Sequence, residues 1–161
     1  MATSERFKPP APMLVFGYGN PSRGDDAIGP LVVQRLDEIR GQGGLPGVDL
    51  LTDFQLQVEH ALDLCGREHV IFVDAALDQA EPLRWLEVQA AADAAWTSHS
   101  LSPAAVVGVY RALHGPPPVV QLLAVRAESF ALGDSLSAAA ERHLGLAVDA
   151  LLAVLRGPGG E

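Results

Sequence analysis

Three short runs in this chain are apolar almost from end to end, residues 13–17, 69–74 and 119–125, and a fourth, residues 48–53, reads as a strand ending on Asp53. A strand with one wet face alternates apolar and polar residues. Runs without that alternation fit strands covered on both faces, as in a parallel sheet. A fifth run, residues 83–88, alternates more.

Helical spacing fills the gaps between them. Ile28, Leu31, Val32, Leu36 and Ile39 recur as one face, before Gly41, Gly43 and Gly44. Residues 58–64 read as a short helix stopped by Gly66. Ser102 and Pro103 suit the N-cap and first position of a helix running to about Leu113. Asp134 and Ser135 are expected to cap a long last helix, with Leu144, Ala147, Val148, Leu151, Leu152 and Leu155 on its inner face. Strands alternating with helices predict an α/β fold, a mostly parallel sheet with helices on both faces. Residues 13–156 are expected to form a single domain, between a loose proline-rich extension (1–12) and a flexible tail (157–161).

Composition narrows the function. The chain has 161 residues, a formal net charge of -9 and only 11 Lys and Arg, with no basic run. Nucleic-acid binding needs a cationic footprint to displace phosphate counterions, so it is not expected. The acidity suits solubility, or a partner that is basic or carries a metal cation. No apolar run approaches the ~20 residues of a membrane helix, and residues 1–12 carry no apolar signal segment. The single cysteine, Cys65, excludes an internal disulfide and fits a reducing compartment. In the run ALDLCG it reads as a buried structural thiol. A soluble cytoplasmic protein is expected.

The stretch LVFGYGNPSRGDDAIGPLVV, residues 14–33, leaves the first strand, passes through a glycine-rich polar loop and resumes as a helix. It carries Asp25 and Asp26. The second strand ends on Asp53 and the third on Asp74. In a parallel sheet all these ends share one edge, where open α/β folds place their chemistry. One aspartate alone is more often a helix cap or a strand breaker. Several at one edge repel unless a cation or a function offsets them.

His99, in the loop TSHSLSP, can reach the same edge as a neutral ligand or a base, or else stand in solvent. His60, His69, His114 and His143 look weaker, lying in or at the ends of regular elements. The loop is not a P-loop, since no Lys follows a GxxxxG. It breaks the dinucleotide fingerprint too, because Ser22 stands where the third glycine belongs. There is no HExxH, no cysteine pair and no GxSxG. With no Ser-His-Asp or Cys-His arrangement visible, a hydrolase on this chain would use water as nucleophile.

Taken together, these residues resemble the hydrogenase maturation proteases, endopeptidases that trim the large subunit of nickel-iron hydrogenases. GYGNPSRGDDAIG after an apolar strand is similar to the family's N-terminal signature. HVIFVDA around Asp74 resembles its second motif and SHSL around His99 its third. LLAVRAES, ending at Glu128 and Ser129, resembles its late strand and Glu-Ser pair. The four occur in order across residues 13–156.

The resemblance implies a three-layer α/β/α sandwich with a twisted, mainly parallel sheet of about five strands. It also implies an activity, the removal of the C-terminal extension of the large-subunit precursor after nickel insertion. By position, Asp26, Asp74 and His99 would be the catalytic and metal-binding residues, with Asp25 an alternative first ligand. Two carboxylates and an imidazole make a mixed O/N site acceptable to nickel. Nickel would come with the precursor and serve as the recognition element, with no organic cofactor. A monomer is expected. DFQLQ, residues 53–57, falls where the family has a variable, substrate-discriminating loop. The other readings are a non-catalytic metal- or nucleotide-binding module on the same architecture, and a Rossmann-type oxidoreductase, which the broken fingerprint disfavours.

Overall fold

The computed structural model of the chain describes residues 9–91 and 101–157. Five strands, β1 (Met13–Tyr18), β2 (Val48–Asp53), β3 (His69–Ala76), β4 (Leu83–Glu87) and β5 (Val119–Arg126), form one sheet in the order β2-β1-β3-β5-β4. All neighbours are parallel except β4, which runs antiparallel to β5 at one edge. That edge position suits its half-buried, alternating sequence. Three helices, α1 (Ile28–Gly41), α2 (Pro103–His114) and α3 (Ala138–Leu155), pack on the two faces. The expected α/β/α architecture is the one observed.

Strand periodicity sorts the core into two halves. Val15 on β1, Ile71 and Val73 on β3, and Leu123 and Val125 on β5 face α1 and α3. Leu14, Phe16, Val70, Phe72 and Val120 face the opposite way, towards α2 and residues 58–64. Phe16 and Phe72 are fully buried, with ring centroids 5.7 Å apart. Truncating either to Ala would cost about 3–5 kcal/mol.

Three local expectations change. The last helix begins at Ala138, and its cap is Ser137, whose Oγ accepts the Ala140 N–H at 3.1 Å. Asp134 and Ser135 lie outside it, because Ser137 is held in place by the Asp25 carboxylate. Residues Val58–Leu64 form a 3₁₀ helix. Cys65, expected to be buried, is half-buried at the end of that helix. Near the start of the chain, Ala11 donates its N–H to Asp49 at 3.0 Å, and the Pro12 carbonyl accepts from Glu68 and His69. Residues 1–8 and 158–161 lie outside the described residues. Among the described residues, no helix is long and apolar enough to cross a membrane.

Candidate functional site

The strand order reverses between β1 and β3. β1 leads by way of α1 to β2 on one side, while β3 lies on the other. Connections leave such a point in opposite directions and open a crevice at the carboxyl ends of the strands. Tyr18 ends β1 there, and Asp74 lies near the end of β3. By strand periodicity both share the face of Phe16 and Phe72, and the Tyr18 ring meets Phe72 edge-on, 6.3 Å between centroids.

Two glycines draw α1 against this edge. A Cβ on Gly29 would stand 2.5 Å from the Tyr18 carbonyl oxygen and 2.7 Å from that of Val73. A Cβ on Gly17 would run into the Gly29 carbonyl. No side chain fits between the first turn of α1 and the sheet, so the intervening loop is held close to the strand ends.

The two adjacent aspartates of that loop diverge. Asp25 is 1% exposed. Its Oδ2 accepts from the Glu128 N–H at 2.8 Å, the Ser129 N–H at 3.4 Å and the Ser137 hydroxyl at 2.8 Å. Its Oδ1 accepts from the Ser137 N–H at 2.7 Å. Burial pushes the carboxyl up, but these bonds outweigh it and hold it below its ordinary value. Asp25 therefore staples the first loop to the connection between β5 and α3.

Asp26 turns the other way. Its Oδ2 accepts the Asn20 N–H at 2.8 Å, and it lines a cavity of about 530 Å³ together with Tyr18 and Asp74. Phe54, Leu101, Leu122 and Phe130 supply apolar walls. A polar floor under apolar walls is the usual build of a binding site. Burial raises Asp74 to about 7, the Tyr18 hydroxyl pulls against that rise, and the charge of Asp26 adds to it. The Tyr18 hydroxyl is itself raised, chiefly by burial and then by Asp74.

Asp26 and Asp74 thus meet in one cavity. Asp53, expected in the same crevice, does not line it. It ends β2 at the shared edge, but its carboxylate is turned to the Phe54 N–H at 2.7 Å and the His60 ring at 3.0 Å. His99 lies outside the described residues. Among the described residues, no group of three His, Cys, Asp or Glu stands ready to hold a metal ion. The weaker histidines have local partners. His69 meets the Gln121 side chain at 2.8 Å, His143 the Arg126 carbonyl at 3.1 Å, and His114 stacks near Tyr110.

Two residues of the site were not picked out from the sequence. Tyr18 could have been, since it precedes the polar loop and shares strand parity with Phe16. Ser137 could not, because its partner stands 112 positions earlier.

No protein-family model matches the sequence, and no curated protein matches it either. Solved structures do. The hydrogenase maturating endopeptidase HybD from E. coli is 28% identical, over 89% of this chain and 91% of its own, with a TM-score of 0.67. The solution structure of an endopeptidase from Escherichia coli is 28% identical over 92% and 94%, with a TM-score of 0.69. A hydrogenase 2 maturation peptidase from a Thaumarchaeota archaeon is 26% identical over 87% and 95%, at 0.61. The likeness of four sequence motifs is therefore a likeness of whole folds, and this chain is a structural relative of the hydrogenase maturation proteases.

Proposed function

We propose that this chain is an endopeptidase that removes the C-terminal extension of a nickel-iron hydrogenase large-subunit precursor after nickel insertion. The observation that carries the reading is the pair Asp26 and Asp74, brought by the turn before α1 and the end of β3 to one cavity of a fold shared with such endopeptidases. The protein works in the cytoplasm as a monomer.

Nickel arrives as part of the substrate. Asp26, Asp74 and His99 are the donors that meet it, two hard oxygens and an imidazole. Such a site is only half a coordination sphere. It binds free ion modestly and completes the sphere of an ion already held by the precursor, so cleavage waits for metal insertion. Asp74, protonated up to about pH 7, gives up that proton when it takes the ion. The apolar walls receive the side chains of the precursor's tail.

The test is incubation with nickel-loaded and nickel-free precursor, read by intact mass. The expected result is loss of a short C-terminal peptide from the loaded form only, abolished by Asp26→Ala, Asp74→Ala or His99→Ala. Uncut loaded precursor would return the chain to the non-catalytic binding modules.

A further inference from the structure

We infer that His60 is a positioning residue that, together with Asp53, sets the wall of the cavity formed by residues 54–56. The inference rests on the proposed function, since that wall is where the precursor's tail would lie.

The chain leaves β2 at Asp53 and must turn into the 3₁₀ helix at Val58 within four residues. Phe54, Gln55 and Leu56 from this turn line the cavity. No strand pairing holds them. Phe54 is 68% exposed, whereas Leu56 is buried and accepts the Leu101 N–H on its carbonyl at 3.4 Å. The turn is closed by one imidazole. His60 Nδ1 accepts the Gln57 N–H at 2.8 Å. A backbone N–H can only donate, so Nδ1 carries no proton and Nε2 does. Nε2 then donates to Asp53 Oδ2 at 3.0 Å, while Asp53 Oδ1 accepts the Phe54 N–H at 2.7 Å. The ring stands edge-on against Phe16, 4.7 Å between centroids. One neutral ring in one tautomer therefore ties residue 53 to residue 57 and rests on the core.

A loop fixed before the substrate arrives spares binding the entropy of ordering it. Removing the strut should therefore act on recognition and not on the reacting groups, which lie on other elements. His60→Ala is expected to raise the KM for loaded precursor about tenfold with kcat changed less than about twofold. Asp53→Ala should do the same, and Asp53 is exposed enough that the fold survives its loss even if His60→Ala does not fold. The double variant should be no worse than either single one, because both break the same strut. Imidazole ¹⁵N shifts of the wild type should show the Nε2–H tautomer.

An Nδ1–H tautomer, an unchanged KM in Asp53→Ala, or a fall in kcat with no rise in KM would overturn the assignment. If the wild type does not cut the precursor, the proposed function fails, and limited proteolysis decides the strut alone. Chymotryptic cleavage after Phe54 should then be about tenfold faster in Asp53→Ala than in wild type. An equal rate would reject the strut.

Discussion

The Asp74 carboxyl sits where burial and the charge of Asp26 both oppose its ionisation, and its pKa rises from 3.8 to about 7. Below pH 4 it is protonated in folded and unfolded chains alike. Between pH 4 and 7 only the unfolded chain ionises, so the folded state loses ground as pH rises. Above pH 7 the loss is complete and on the order of 4 kcal/mol. Asp74→Asn should therefore raise the melting temperature of the metal-free protein at pH 8, by roughly 2–4 °C per kcal/mol relieved. That gain should vanish near pH 4. Melting curves of both proteins across this range check it, and a gap independent of pH would contradict it. Asp25 has the opposite sign. Its lowered pKa gives stability that is present above the unfolded value and lost as pH falls through the folded one. Asp25→Asn, which turns an amide towards backbone donors, should cost about 2–4 kcal/mol in urea unfolding at pH 7. Sequence alone left Asp25 and Asp26 open as alternatives, because adjacent identical side chains carry no mark of direction. What separates them is Ser137 and the backbone of residues 128–129, remote in sequence.

Among the elements, the approach of α1 to the sheet is the tightest fit. Gly29→Ala would press a methyl group onto two carbonyl oxygens belonging to β1 and β3. Neither can retreat without breaking the sheet, so a loss of about 3 kcal/mol or more is expected in equilibrium unfolding. The central strands β1 and β3 were legible, since a strand buried on both faces has few polar positions to disguise it. Boundaries set by distant contacts were not. The N-cap of α3 falls on Ser137 and not on Asp134 or Ser135, because Asp25 captures that serine's N–H and hydroxyl. Residues 58–64 look helical by composition. They close as a 3₁₀ helix with the Gln57 N–H captured by His60. Asp53, read as a third carboxylate of the crevice, was misplaced for the same reason, since its partner is a ring seven residues ahead.

At the scale of the whole molecule, the sheet order puts the ends of β1 and β3 side by side, and this makes a shared site for residues 26 and 74 possible. The order itself was not readable, because strand periodicity says which face is buried and not which neighbour is paired. If the site takes a divalent ion, added nickel should raise the melting temperature at pH 8. That rise should fade as pH drops below about 7, where Asp74 regains its proton, and should be absent in Asp74→Asn. A thermal-shift series in nickel and pH checks this. The staple from Asp25 to Ser137 has a further consequence, for the order of assembly. The loop that carries Asp26 is made more than a hundred positions before the groups that hold it, at residues 128–137. A chain in which residues 128–137 have yet to dock therefore has no organised crevice, and competence arrives only with that docking.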